Sequence, residues 1–411
     1  MTGISNNSKA SIEFCVEWES NEASHKDRIF AENVNFWRDC FSPEIFAMLQ
    51  GRVIGEHVKL IDRSNSSIRQ YEKGKIHSVK KEKFNSYNLI DREIVPRQGR
   101  FYPQGIIEGL PGVFQVNAKP CRCIKVNNGF LEIDLNHPLS IYSVSVSAFI
   151  HDIRQGSVER GGRCEDWLEF ITDNGSGMQA RYPGLITDFS GEHNYVRKDN
   201  QPDEKFYSTP RLVHHLDFRA RSFVRDIHNI YLKKRGSILD LMASWDSHLS
   251  DAFDSSHLTV LGINMAELKA NPMADDHIVQ DINENPDLPF REKSFDGIIC
   301  TSSVEYLTKP REIFNEIARV LKPGGICVMT FSNRWFPPKV VSIWEELYEF
   351  ERLGLVSDYF LTTRSFGEIT TVSHSGWPRP LDDKYYGSVP FSDPVYCVIA
   401  EKKRMRGILK S

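Results

Sequence analysis

Two periodicities of apolar residues divide the chain. Up to about Ile153, apolar and polar residues alternate in short runs bounded by turn signals, which predicts strands. IEFCVEW, VIGEHVKLI, CRCIKV, FLEIDL and SVSVSAFI are the strongest of them. From about Gly156 to Asp203 the pattern gives way to Gly, Asp, Asn and charge, as in GSVERGGRCEDW, DNGSGMQ and RKDNQPDEK, which predicts a linker with ordered loops. A helical period follows, with Leu212, Val213, Leu216, Ala220, Phe223, Val224, Ile227, Ile230 and Tyr231 on one face. From Gly236 the two periods alternate. SILDLM, LTVLGI, HIVQDI and FDGIICT read as short apolar strands. PREIFNEIARVLKPGG reads as a helix that buries Ile313, Phe314, Ile317, Ala318 and Leu321 and stops at Pro323-Gly324-Gly325. ICVMTFS is a fifth strand, PKVVSIWEELYEFERLG a further helix, and EITTVSHS and PVYCVIAEKK the last two strands. Strands alternating with helices predict an α/β doubly wound, Rossmann-like parallel sheet, closed by an antiparallel strand.

Composition narrows the partners. A chain of 411 residues predicts two or three domains, and 40% hydrophobic with 26% charged residues suits globular folding throughout. The net charge of -4 implies no basic face, so no nucleic acid partner is expected. The basic tail over 404–411, with Arg404, Arg406 and Lys410, reads as a solvated end. No run has signal-peptide character, and none reaches the roughly 18 apolar residues of a membrane span, so the protein is expected to be soluble and cytoplasmic, with no membrane partner. The eight cysteines are scattered and read as reduced core thiols. Cys121 and Cys123 fall on one face of a predicted strand, with no ordered ligand set for a metal.

In a doubly wound sheet the ligand sits beyond the carboxyl ends of the strands, so the loops after them are the candidate site. Asp240, Met242 and Ser244 follow the first strand, Asn264 the second, Asp281 and Ile282 the third, and Ser302, Ser303, Glu305 and Tyr306 the fourth. Asn333 and Arg334 follow the fifth, and Tyr207, Arg211, His214 and His215 precede or open the leading helix. This layout resembles class I S-adenosylmethionine (SAM)-dependent methyltransferases. Asp240 to Leu249, DLMASWDSHL, further resembles a group in which DLMxSWxSHL replaces the usual glycine-rich loop. FYSTPRLVHHLD, VQDINENPDLPF, FSNRWFPPK and GWPRPLDDKY are similar to other stretches of that group, and the likeness covers about residues 165–400. It implies SAM as cofactor, held by Asp240, Met242, Ser244, Asn264, Asp281, Ile282 and Ser302. Glu305 is the implied base, with Tyr306 and Ser303 orienting the acceptor, and Tyr207, Arg211, His215, Asn333 and Arg334 the implied substrate pocket.

The first half resembles FKBP-type prolyl isomerases of the SlyD-like branch, through FLEIDLNHPL (130–139), VPRQGRF (95–101) and IFAMLQGRVIGEHV (45–58). The likeness implies a mainly-β α+β domain over 1–153 with an inserted flap, then a linker over 154–205 and the methyltransferase-like domain over 206–403. Phe14, Asp27, Phe36 and Phe41 are the implied prolyl-pocket residues. Ser67-Ile68-Arg69 stands where the family has its pocket tyrosine. The expected function is therefore a SAM-dependent methyltransferase with an FKBP-like accessory domain that docks substrate or acts as a chaperone. A bifunctional methyltransferase and prolyl isomerase, and a non-catalytic SAM-binding or scaffold/chaperone protein, are the alternatives. The fusion suggests a polypeptide acceptor; the sequence does not fix the acceptor or the oligomeric state.

Overall fold

The computed structural model describes residues 3–62, 70–86, 94–156, 161–173, 181–191, 193–232, 236–251, 253–254 and 257–404. They form two compact units: Met1–Ser20, Asn33–Gly191 and Leu347–Gly354 in the first, and Asn21–Glu32, Glu192–Glu346 and Leu355–Ser411 in the second. These boundaries differ from the expected ones. Residues 154–205 are not a separate linker but are divided between the units at Gly191, and an N-terminal segment belongs to the second.

The first unit runs through β1 (Lys9–Glu19), the end of β2 (Ser24–Asn35), α1 (Pro43–Leu49), β3 (His57–Asp62), β4 (Ile76–Lys80), β5 (Phe101–Pro103), β6 (Pro120–Val126), β7 (Phe130–Asp134), β8 (Val144–Arg154) and α2 (Trp167–Asp173). Strand β8 pairs antiparallel with both β1 and β3. The Ser42 hydroxyl caps α1 by accepting from the Ile45 amide, Pro43 presets its first turn, and Ile45, Met48 and Leu49 bury its apolar face. Between β3 and β8 the chain builds a separate four-stranded antiparallel sheet, ordered β4-β7-β6-β5. It has its own core, in which Cys121 and Cys123 pack on one face with Leu131 and Ile133. Cys300, Cys327 and Cys397 are buried too, but Cys40 and Cys164 are exposed and so are not core thiols.

The prolyl-pocket residues do not assemble. Phe14 is fully buried and stacks on Trp167, while Phe36 and Phe41 stack on each other at 5.0 Å. Asp27 lies in the second unit, where it accepts a hydrogen bond from Ser373. Ser67-Ile68-Arg69 and the tail beyond Arg404 lie outside the described residues.

The second unit holds α3 (Asp203–Phe206), α4 (Phe218–Tyr231), β9 (Ser237–Leu241), β10 (His257–Gly262), α5 (Met265–Lys269), β11 (Asp276–Val279), β12 (Phe295–Thr301), α6 (Pro310–Val320), β13 (Leu321–Phe331), α7 (Ser342–Glu346), most of α8 (Glu349–Thr363), β14 (Phe366–Ser375) and β15 (Val395–Lys402). Its strands are ordered β11-β10-β9-β12-β13-β15-β14. β9 to β13 are parallel, and β15 is antiparallel to both neighbours, as the alternating pattern predicts. The N-terminal segment Ser24–Ile29 pairs parallel with the far edge of β14. The order reverses between β9 and β12, so the loops after these strands part and leave a crevice. No helix among the described residues is long and apolar enough to cross a membrane.

Helix boundaries differ from the periodic reading for tertiary reasons. α4 starts at Phe218, not near Leu212, because Asp217 caps it by accepting from the Ala220 amide at 3.0 Å. That carboxylate also accepts from Ser392 Oγ and the Asp393 amide, and Arg379 lies 3.5 Å away. Leu212 and Val213 are exposed instead of packed. α6 buries Ile313, Phe314, Ile317 and Ala318 as expected but ends at Val320, and Leu321 already opens β13. The helix expected over 338–354 is broken into α7 and α8.

Asp217 is buried with every contact charged or polar, so removing it leaves Arg379 short of a partner. Asp217→Ala should destabilise the second unit by roughly 3 kcal/mol or more, while Asp226→Ala on the exposed face of α4 stays within about 0.5 kcal/mol. Urea denaturation of both variants measures the difference.

Candidate active site

The carboxyl ends of β9, β10, β11 and β12 surround a cavity of about 180 Å³ in the second unit. At its floor, Asp240 is the penultimate residue of β9 and is buried. Burial raises its carboxyl to about 7, against a hydrogen bond from Ser247 that lowers it. Met242 follows in the left-handed region, φ 58°, although it is not glycine. The Ala243 amide then donates to Leu261 O at 2.7 Å. This approach is possible because the neighbouring strand ends in Gly262: a Cβ there would lie 2.3 Å from Ala243 O. The glycine that permits the close turn is thus on β10, not in the loop itself.

Asn264, Ser244 and Glu267 form the next wall. Asn264 lines the cavity, but its amide is engaged elsewhere. Its Oδ1 caps α5 by accepting from the Ala266 and Glu267 amides, and its Nδ2 donates to Tyr207 O and Ser208 O. The carboxylate on this wall is Glu267, which accepts from Ser244 Oγ at 2.5 Å and the Arg211 amide at 2.7 Å. The sequence carried a signal for it, since Asn264 with Glu267 three residues on is the spacing of a capping box. Beyond β11, Ile282 is buried against the cavity, and Asp281 Oδ1 accepts from the Asn283 amide at 2.9 Å. Burial raises the Asp281 carboxyl, opposed by that hydrogen bond.

After β12, Ser302 is left-handed, φ 49°, and its amide donates to Thr330 O. Ser303 and Tyr306 line the cavity together because a short 3₁₀ turn, Val304–Tyr306, brings positions three apart onto one side. The same turn takes Glu305 away. It is buried, does not line the cavity, and so is not positioned as the base expected of it. The Tyr306 hydroxyl accepts from the Phe336 amide at 2.9 Å, and burial pushes its phenol well above the usual range.

Tyr207, Arg211 and His215 do line the cavity, with Phe336. The Arg211 guanidinium lies 4.7 Å from the Phe206 ring centre and 5.2 Å from that of Phe336, and the His215 ring packs edge-on to Phe336 at 5.1 Å. Burial lowers the pKa of the His215 imidazole. Asn333 and Arg334 are corrections: neither lines the cavity, and Arg334 lies over the Tyr385 ring at 4.5 Å. Sequence reasoning missed Trp245, Asp246 and His248, which line it from the DLMASWDSHL stretch. Asp246 is 3.2 Å from His248; burial works to raise its carboxyl, but the His248 contacts hold it well below the usual range. The His214 ring lies tilted against that of Trp245, with centroids 4.4 Å apart.

A carboxyl group at three strand ends, apolar Met242 and Ile282 between them, and the Gly262 cradle fit a ligand with a cationic part, hydroxyls and a flat ring, as SAM has. Residues 248–329 match the family described as a methyltransferase domain. Demethylmenaquinone methyltransferase of Clavibacter sepedonicus is 33% identical over 101 residues, which are 23% of this chain and 41% of that protein. Malonyl-[acyl-carrier protein] O-methyltransferase of a Marinomonas species is 26% identical over 88 residues, 21% of this chain and 33% of that protein. The chain thus spans less than half the length of these two curated relatives. The crystal structure of a SAM-dependent methyltransferase from Aquifex aeolicus covers 49% of this chain and 97% of its own, at 14% identity and a TM-score of 0.31. The span over residues 248–329 is thus similar to methyltransferase domains.

Asp240 generates a pH dependence whose sign is fixed. Its folded value near 7 lies above the ordinary unfolded value, so the folded state holds the extra proton between about pH 4 and 7. Its contribution to stability is therefore complete below about pH 4 and lost as pH rises to 7, by at most ~1.4 kcal/mol per pH unit. The stability difference between wild type and Asp240→Asn, from urea denaturation at pH 4.5 to 8, should follow that slope; a difference constant with pH would contradict it.

Proposed function

We propose that the protein transfers a methyl group from SAM to an acceptor held against Ser303, Tyr306, Tyr207, Arg211, His215 and Phe336. The observation that carries this reading is the cavity at the point where the strand order reverses, with Gly262 admitting the turn after β9. When bound, SAM supplies a methyl group on a positively charged sulfur. Asp240 and Ser244 hold the amino-acid end, Glu267 takes the place of Asn264 at the ribose hydroxyls, and Asp281 with Ile282 holds the adenine. Methyl transfer requires orientation above all. Tyr306 has its hydroxyl oxygen fixed by the Phe336 amide, so its own proton is free to hydrogen-bond an acceptor. With Glu305 turned away, the His215 imidazole lines the acceptor side and is placed to take a proton from an acceptor that must lose one. The rings of Tyr207, Tyr306 and Phe336 line this side.

For the first unit, the FKBP-like reading is supported by layout: an antiparallel sheet with α1 beside it, interrupted between β3 and β8 by a second sheet where the family carries its flap. We read it as an accessory module that docks substrate. Prolyl isomerisation is not part of the proposal, because Phe14, Phe36 and Phe41 are packed in core contacts and line neither described cavity of this unit. The two curated relatives are named for a quinone and a carrier-protein substrate, so the matched span does not select the acceptor. The accessory module favours a polypeptide.

Isothermal titration tests the cofactor. Asp240 ionises near pH 7, and a cationic ligand prefers its carboxylate, so SAM affinity should rise between pH 6 and 8. Asp240→Asn should bind SAM more weakly and with a flatter profile. Absence of SAM and demethylated-product binding by wild type at every pH would refute the reading. For the acceptor, label from methyl-tritiated SAM is expected in polypeptides of a cell lysate; transfer into small molecules alone would exclude a polypeptide.

A further inference from the structure

We propose that Cys40 and Cys164 form a surface dithiol that closes reversibly to an intramolecular disulfide when oxidised by a small-molecule disulfide such as oxidised glutathione. Both residues belong to the first unit and both are exposed. They are 124 positions apart in sequence, yet their sulfurs lie 3.4 Å from one another. Forming the bond requires the sulfurs to close by only about 1.4 Å.

The pairing is built into the backbone. Cys40 bridges in parallel to Asp166: its amide donates to Glu165 O at 2.8 Å, and the Trp167 amide donates to its carbonyl at 3.1 Å. Asp39 strengthens the same junction by accepting from Trp167 Nε1 at 2.8 Å and from Arg38 Nε at 3.0 Å. Arg38 in turn donates to Gly161 O at 3.0 Å. Two segments distant in sequence are thus clamped side by side, each presenting a thiol to solvent. The other cysteines do not compete: Cys121, Cys123, Cys300, Cys327 and Cys397 are buried, and Cys15 is half-buried.

The exchange balances without a further reactant. The thiolate of one cysteine attacks a sulfur of the small disulfide, breaks its S–S bond, and releases one small thiolate, which takes up a proton. The second cysteine gives its proton to solvent and attacks the protein sulfur of the mixed disulfide, releasing the second small thiol. Two electrons pass from the protein sulfurs to the small disulfide, and a reducing thiol reverses both steps. The closed form ties the turn after β2 to the start of α2 and closes a long loop, which restricts the unfolded chain.

The test uses the native full-length protein incubated with oxidised glutathione, then denatured without reductant, alkylated, digested and analysed by mass spectrometry. The expected result is a Cys40–Cys164 crosslinked peptide and a fall in alkylated cysteines from the eight of the sequence to six. Oxidation should also raise Tm by on the order of 5 °C, reversed by dithiothreitol. Cys40→Ser should instead accumulate glutathione on Cys164, with no crosslink and no such rise. Glutathione left on either sulfur of wild type without a crosslink, or no modification of either, overturns the proposal. The wild-type crosslink decides the matter even if a serine variant fails to fold.

Discussion

The cavity depends on two backbone reversals that glycine does not provide. Adjacent strands β9 and β12 run on to left-handed residues, Met242 at φ 58° and Ser302 at φ 49°. Such a conformation costs about 1–2 kcal/mol for an ordinary residue, so it persists only where neighbours over-determine it. Here they do. The Ala243 amide is fixed by Leu261 O, the Ser302 amide by Thr330 O, and Gly262 leaves room for the first turn.

The rim of the crevice is set by buried ions. Asp203 lines the cavity and is held by Arg197 at 2.8 Å, Lys339 at 3.1 Å and Asn283 Nδ2 at 3.1 Å. Lys339 is fully buried, so its charge needs the carboxylates of Asp203 and Asp199, the latter at 3.2 Å. On another side, Arg379 joins Asp393 at 2.7 Å and Asp217 at 3.5 Å, tying the cap of α4 to the segment before β15. Groups of this kind add little net stability but are intolerant of displacement, since a lone buried charge is expensive. They fix where Tyr207 to His215 can lie, and with that the shape of the acceptor side. The first unit is organised differently. Its inserted sheet carries an apolar core of its own, and a buried Arg100–Glu351 pair at 3.0 Å holds the start of β5.

Much of this was legible in the sequence. β9, β10, β12 and β13 are largely buried, so continuous apolar runs marked them, and helices between such runs imply a parallel sheet. From that alone the loops holding Asp240, Met242, Ser244, Asp281, Ile282, Ser302, Ser303 and Tyr306 were identifiable as the walls of a site. Periodicity and connection rules are local properties, and the chain carries them wherever it is read.

What the sequence left open was decided by contacts between distant residues. Asn264, the cap of a short helix, and Glu267, three residues on, are both polar. Tyr207 and Ser208, far upstream, occupy the amide, and Glu267 is the carboxylate left facing the cavity. Glu305 and Tyr306 are neighbours whose fates diverge because one 3₁₀ turn points them to different sides. Asp27 joins β14 rather than a pocket, α4 begins where Ser392 and Asp393 reach Asp217, and Cys40 meets Cys164 across 124 positions. Side-chain type and spacing determine which elements form; which side chain faces the cavity depends on hydrogen-bond partners and packing that only the folded chain brings together.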